Sequence, residues 1–233
     1  MSIRIREALP ADAASVFEVA VAVRMPPSMD SGRAGRGFLV DVSLEHYRHF
    51  IDNDHVLLLE EGNAGRTLGF SVILGPETMA ETGIRRQAER IVRSDAPKGD
   101  TAPAGSAIPV SAESLDGLDP RACAYWEQLA VLPDCAGGPY PVYLAFASLE
   151  RAFCRYEHLF GAVASYPVGN LAPLRLLECA GWRKVGSIET DYPAHGSIRY
   201  DVYHLSRSQF EGRLQEPLLA GLRKRLRARG LLP

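Results

Sequence analysis

Most of the side chains in this sequence that could do chemistry fall in one stretch, residues 126–182. Glu127 is a carboxylate in a run of aromatic and β-favouring residues, and Asn170 precedes an apolar pattern at helical spacing. Between them lies a turn rich in glycine and proline, residues 135–141. The order strand, Gly/Pro turn, helix, strand and Asn-led helix suggests a cofactor-binding half-domain.

Cysteine chemistry is a second possibility, but the spacing argues against it. The four cysteines, Cys123, Cys135, Cys154 and Cys179, form no C-x-x-C pair. Neither a zinc site nor a disulfide framework is predicted, and no metal is expected. Cys135 lies in the turn, yet no histidine is close enough in sequence to activate it, so a spectator thiol is favoured over a nucleophile.

The elements that position these residues follow from periodicity and turn signals. We predict a strand at 125–131, a helix at 142–156, a strand at His158–Tyr166, and a helix that is capped by Asn170 and ends at Gly181. Elsewhere the patterns predict strands at Ile3–Glu7, 56–60, Thr67–Leu74, 184–189 and 198–205, and helices at about 11–23 and 44–51. The strands at 56–60 and Thr67–Leu74 should form a hairpin.

Three stretches resemble the GNAT family of acyl-CoA-dependent N-acyltransferases. Residues 127–133 (EQLAVLP) resemble the family's strand-and-loop signature, and residues 170–182 resemble its late helix signature, from Asn to Gly-Trp. Residues 3–12 resemble its opening strand and the start of its first helix. The resemblance implies an α/β GNAT fold, with a mixed central sheet that is splayed at its middle and has helices on both faces.

The same resemblance implies transfer of an acetyl or other acyl group from a CoA thioester to the amine of a small molecule. Period-2 alternation puts Glu127 on the strand face of Leu129 and Val131, where it could act as the general base. A solvent-facing carboxylate is the other interpretation. Tyr166 at the end of the next strand is a candidate acid, or a packed aromatic residue.

The cofactor side of the site is also assigned by resemblance. Glycine amides at a helix start would hold the pyrophosphate of acetyl-CoA or another acyl-CoA, and Asn170 would face the pantetheine arm while it caps its helix. The full set of positions is Leu129, Val131, Ala136, Gly137, Gly138, Tyr140 and Asn170.

The chain departs from the family pattern in the pyrophosphate-binding turn. Ala136 occupies an Arg or Gln position, and Pro139 and Pro141 occupy glycine positions, which removes two N–H donors. No Lys, Arg or His occurs in residues 127–150. Leu177 occupies the position where the family often has a Tyr that protonates the leaving thiolate. These changes predict weakened CoA binding. Two alternative functions therefore stay open. One is a GNAT-fold protein that uses an acyl carrier protein thioester or a different reaction, and the other is a non-catalytic binding module.

The acceptor side of the site would come from the loop after the first helix. In that loop Met25, Met29, Asp30 and Phe38 could line a site for an amine with an apolar body. A surface loop without this role fits the same residues equally well.

Composition limits the partners. The chain has 233 residues and a net charge of −2, and its isoelectric point is near 6.3, so no general attraction to nucleic acid or membrane is expected. Without a signal-peptide pattern or a long apolar run, we expect a cytoplasmic protein.

The domain organisation predicted from these patterns is a single GNAT-like domain at 1–206 and a basic amphipathic tail at 207–233. Residues 76–119 are expected to be an insertion, helical at first and then Pro/Gly-rich and partly mobile. In the tail, Leu214, Leu218, Leu222 and Leu226 repeat every four residues. This face should pack on the domain or on a second subunit, so that a homodimer is one option.

Overall fold

A seven-stranded sheet forms the centre of the molecule in the computed structural model, which describes residues 2–24, 42–62, 65–81, 117–166, 169–192 and 196–232. The strands are β1 (Ile3–Glu7), β2 (His55–Glu61), β3 (Thr67–Leu74), β4 (Cys123–Val131), β5 (His158–Tyr166), β6 (Arg183–Tyr192) and β7 (Gly196–Ser206). The helices are α1 (Ala13–Ala22), α2 (Leu44–Asn53), α3 (Pro76–Glu81), α4 (Tyr140–Ala152), α5 (Leu174–Ala180), α6 (Arg207–Arg213) and α7 (Pro217–Ala228).

The strand order is β1-β2-β3-β4-β5-β7-β6. Only β4 and β5 are parallel, and every other neighbouring pair is antiparallel. The predicted hairpin of β2 and β3 is confirmed. The prediction that β4 and β5 are adjacent parallel strands is also confirmed. Helices cover both faces, so the predicted mixed α/β architecture is confirmed.

Two apolar clusters hold these helices on the sheet. One face carries α4, α6 and α7, and the opposite face carries α1, α2 and Met79 of α3. Burying a Leu or Phe side chain contributes roughly 1.5–3 kcal/mol relative to leaving it exposed. Tertiary packing of this kind, rather than helix propensity, is the main source of helix stability.

The basic tail packs on the domain itself. Leu219, Leu222 and Leu226 of α7 are buried in the cluster with α4, whereas Leu218 is 66% exposed. The predicted four-residue leucine stripe is therefore wrong at Leu218. Pro217 is the first residue of α7, a position whose N–H would lack a helical partner anyway, so the proline begins the helix instead of kinking it.

The predicted cap at Asn170 is also wrong, because α5 begins only at Leu174 with Pro173 as its N-cap. Steric contact with a proline ring disfavours helical geometry at the preceding residue, so Ala172 cannot easily continue a helix begun at Asn170. The helix does end where predicted, at Gly181, whose φ of 90° is left-handed and suits glycine.

Most of the predicted insertion, residues 82–116, lies outside the described residues. Its first element, α3, begins at Pro76. Within the described ranges, no helix is long and apolar enough to cross a membrane.

Candidate active site

Glu127 is the extra residue of a β-bulge in β4. Trp126 pairs with Ile73 of β3, and Gln128 pairs with the preceding residue, Val72, so that Glu127 has no partner on β3. A bulge of this kind bends the strand and re-aims the side chain at the irregularity.

Side chains on both faces of the sheet hold the bulge in place. The Trp126 indole N–H lies 3.1 Å from the Gln128 carbonyl oxygen and 3.0 Å from the Ser71 hydroxyl. On the other face the Tyr47 hydroxyl donates to Gln128 Oε1 at 2.8 Å. All these groups are buried, so breaking one bond would leave a polar atom unsatisfied, at a cost of about 1–3 kcal/mol. No local sequence pattern points to Tyr47, because it is 81 residues from Gln128.

The electrostatics of Glu127 suit a general base. Burial raises its pKa from 4.5 to about 7. Among the residues that the structure describes, none forms an ion pair or hydrogen bond with its carboxylate. The residue as a whole is half-buried and lies where β4 leaves β5. A base with a pKa near the working pH is the most effective kind.

The alternation argument does not hold at Glu127, because the bulge adds a residue there. Leu129 and Val131 pack in the cluster with α4. Burial, and to a smaller extent the Glu127 charge, raises the pKa of Tyr47, which belongs to the cluster on the opposite face.

The sheet opens immediately beyond the bulge. The pairing of β4 with β5 runs from Cys123 and His158 to Trp126 and Gly161 and stops there. Farther along, β4 pairs only with β3, and β5 pairs only with β7. The two facing edges therefore present backbone N–H and C=O groups to a slot between the strands, which suits an extended ligand with amide groups.

Asn170 follows β5 closely, and its N–H donates to the Ala164 carbonyl at 2.9 Å. Its side-chain Oδ1 is buried and has no hydrogen-bond partner among the described residues. A buried acceptor of this kind is available to an N–H group of a ligand, such as a pantetheine amide.

The turn between β4 and α4 offers few donors to an anion. Gly138 donates its N–H to the Cys135 carbonyl at 3.2 Å within the turn. Pro139 is the N-cap of α4 and Pro141 lies in the first turn, and neither has an N–H. In the described part of the chain, the amides of Ala136 and Gly137 donate to no backbone acceptor, and these two remain for a ligand.

Two arginines distant in sequence lie beside this region. Arg66 forms an ion pair with Asp134 of the turn at 3.0 Å. Arg229, just past α7, lies over the Tyr143 ring at 5.6 Å from its centroid and donates to its hydroxyl at 3.2 Å. Both lie outside residues 127–150 in the sequence, and the tertiary fold brings Arg66 to the turn and Arg229 to α4.

Three other residues that the sequence analysis considered, Tyr166, Leu177 and Cys135, lie in different surroundings. Tyr166 is 62% exposed at the end of β5, with the Arg199 guanidinium 5.9 Å from its ring centroid. Leu177 is buried in the core. Burial and the neighbouring Asp134 raise the pKa of the Cys135 thiol, which makes it a poor nucleophile.

The predicted acceptor residues, Met25, Met29, Asp30 and Phe38, lie outside the described residues. Within those that are described, no group of three or more His, Cys, Asp or Glu side chains could hold a metal ion.

Comparison with known proteins gives matches in structure only. No family model matches the sequence, and no curated protein does. NAA60 of Arabidopsis thaliana, solved with acetyl-CoA, has a TM-score of 0.56 and 12% identity, over 89% of this chain and 99% of that one. An N-acetyltransferase of Staphylococcus aureus Mu50 has a TM-score of 0.54 and 12% identity, over 88% and 99%.

A third similar structure is the ribosomal-protein-alanine N-acetyltransferase of Brucella melitensis, with a TM-score of 0.52 and 14% identity, over 87% of this chain and 98% of that one. These similarities cover nearly the whole length of each neighbour. Together with the splayed sheet and the bulged β4, they show that the chain has the fold of the GNAT N-acetyltransferase superfamily.

Proposed function

We propose that the protein transfers an acetyl or other acyl group from a thioester to the amine of a small molecule, in the slot between β4 and β5. The observation that carries this proposal is the coincidence of two features. The strands separate after Trp126, and the bulge places Glu127, with a pKa of about 7, at that point.

Glu127 would take the proton from the attacking ammonium group, since an amine must lose a proton before its nitrogen can bond to a carbonyl carbon. A backbone N–H of β4 near Ala130 or Val131 would donate to the carbonyl oxygen as negative charge develops there. The leaving thiolate needs a proton, and Tyr166 is the candidate donor. Because Tyr166 is exposed, water is the alternative donor.

When bound, acyl-CoA supplies the activated acyl group and a thiol leaving group. The slot fits its pantetheine arm, because the two strand edges and Asn170 Oδ1 offer unpaired amide partners. The turn before α4 fits its pyrophosphate less well, because Pro139 and Pro141 offer no N–H.

The same mismatch favours one alternative, an acyl carrier protein as the donor. Its phosphopantetheine carries the thioester without the adenosine diphosphate of CoA, so the missing donors at Pro139 and Pro141 would not weaken its binding. The slot and Glu127 would act in the same way on either donor.

Calorimetry separates the two donors. The turn before α4 offers few donors to the pyrophosphate of CoA, which acetylpantetheine lacks. We therefore expect acetyl-CoA and acetylpantetheine to bind with affinities within about tenfold of each other. Transfer to a panel of amines is then measured from acetyl-CoA and from an acetylated carrier protein. Glu127→Gln should lower the rate by about 10²–10⁴-fold with unchanged donor affinity. The exposed Glu189→Gln is the control and should have no effect. Absent binding of both donors at millimolar concentration would reject the proposal.

A further inference from the structure

A cavity of about 240 Å³ lies at the opposite end of α4 from the turn. It is bounded by the end of α2, the start of β2 and the two residues Arg155 and Tyr156 that follow α4. Because α4 has 13 residues and rises about 1.5 Å per residue, roughly 20 Å separates its two ends. None of the residues that line the cavity belongs to β4 or β5, so the cavity is distinct from the slot between these strands.

His55 lies in the wall of this cavity with its hydrogen-bonding capacity unused. Its side chain is 8% exposed and its ring packs edge-on against Tyr156, with 5.9 Å between centroids. In the described part of the chain, neither ring nitrogen of His55 has a hydrogen-bond partner. Both ring nitrogens are therefore available to a ligand in the cavity.

Four charged residues line the cavity, three acidic (Glu7, Asp52 and Asp54) and one basic (Arg155). Arg155 and Asp52 both line it, and neither forms an ion pair or side-chain hydrogen bond within the described residues. The other two acidic residues have partners: Glu7 is paired with Arg151, and Asp54 Oδ1 accepts from the Gly75 N–H at 2.7 Å. Burial and the two arginines, Arg155 and Arg151, lower the pKa of His55 to about 4. The imidazole is therefore neutral at pH 7 and can both donate and accept.

We propose that this cavity binds a small zwitterion, such as a free amino acid, as a ligand separate from the acyl donor and acceptor. Its carboxylate would meet the Arg155 guanidinium, its ammonium group would meet Asp52, and His55 would hydrogen-bond to the ligand between them. A simple carboxylate or a simple amine would leave one of the two charges unpaired. The volume is below the roughly 300–1,000 Å³ of sites for drug-sized ligands, which suits a ligand of amino-acid size.

The test is calorimetry of the full chain with L-serine, without any acyl donor, and with acetate and methylammonium as probes that each carry one of the charges. We expect serine to bind with millimolar or better affinity and each single-charge probe to bind at least tenfold more weakly. Arg155→Gln and Asp52→Asn should each weaken serine binding at least tenfold. Both residues are exposed, and circular dichroism checks that the variants stay folded.

Matched controls are Arg175→Gln and Glu178→Gln, two exposed charged residues on α5, which should leave serine binding unchanged. Glu127→Gln should also leave it unchanged, so the result does not depend on the proposed acyl transfer. If serine at about 20 mM gives no heat of binding, the proposal is overturned. It is also overturned by binding that neither Arg155→Gln nor Asp52→Asn weakens, or by equal binding of acetate and serine.

Discussion

The indole N–H of Trp126 donates to the backbone carbonyl of Gln128 at 3.1 Å, so that one side chain spans the bulged residue between them. A bulge disrupts the ladder locally, and here the indole supplies an additional donor beside the extra residue. The Glu127 carboxylate is therefore held at the start of the splay by neighbours that need take no part in the chemistry.

Replacing this indole should cost more than replacing a comparable one. Trp182 is buried to the same degree as Trp126, but its indole N–H has no partner among the described residues. Trp126→Phe removes the donor to the buried Gln128 carbonyl and Ser71 hydroxyl, whereas Trp182→Phe removes a donor that has no partner among the described residues. We expect Trp126→Phe to lower the free energy of unfolding by about 1–3 kcal/mol more than Trp182→Phe. Urea denaturation measures both, and equal losses would contradict this account of the bulge.

Neutralising Glu127 should stabilise the protein above pH 5. Burial raises the folded-state pKa of Glu127 from 4.5 to about 7, so between these values the folded state binds more protons than the unfolded state. The contribution of this group to stability therefore falls as pH rises through that window, by at most about 1.4 kcal/mol per pH unit. Glu127→Gln removes this loss. A stability difference between the variant and the wild type that stays constant from pH 5 to pH 8 would show that Glu127 is not buried as described.

His204 should give the opposite pH dependence. Its ring stacks on His158 with 3.1 Å between ring nitrogens, and burial followed by the charge of His158 lowers the pKa of His204 to about 4. Between about pH 4 and pH 6.5 the unfolded state binds more protons than the folded state. The contribution of His204 to the free energy of unfolding is therefore fully present above pH 6.5 and is lost as pH falls through this window. His204→Phe should reduce the slope of unfolding free energy against pH in this window. The exposed His46→Phe is the control, and an identical change in both variants would refute the assignment.

Restoring donors to the turn before α4 should tighten CoA binding. Ala136→Arg with Pro139→Gly and Pro141→Gly adds one cation and two N–H groups at a helix N-terminus. Each charge-assisted hydrogen bond contributes roughly 1.5–3 kcal/mol before the entropy of the looser loop is subtracted. Affinity for CoA should rise at least tenfold, which needs only about 1.4 kcal/mol, while affinity for acetylpantetheine should not change. A folded triple variant that binds CoA no better than the wild type would place the pyrophosphate elsewhere.

The sequence predicted elements well wherever local patterns control them. The bounds of Ile3–Glu7, Thr67–Leu74 and His158–Tyr166 agree with the structure, because periodicity and flanking turn residues define each strand. The bulge at Glu127 was not predicted, since it depends on the register of β4 against β3.

Contacts across long stretches of sequence were missed for a related reason. Arg66 reaches Asp134 across 68 residues, and Arg229 reaches Tyr143 across 86. No local pattern encodes such a pair. At Asn170 a good capping residue was present, but Pro173 decided where the helix begins.

The most direct test of the central claim is a titration of the amide proton–nitrogen correlation spectrum of the protein with acetylpantetheine. This ligand carries the arm and thioester shared by both proposed donors. We predict that the largest shifts fall on the amides of residues 127–131 and 162–166 and on Asn170, which line the slot. Shifts confined to other parts of the chain, or no shifts at millimolar ligand, would contradict the assignment of an acyl-thioester site between β4 and β5.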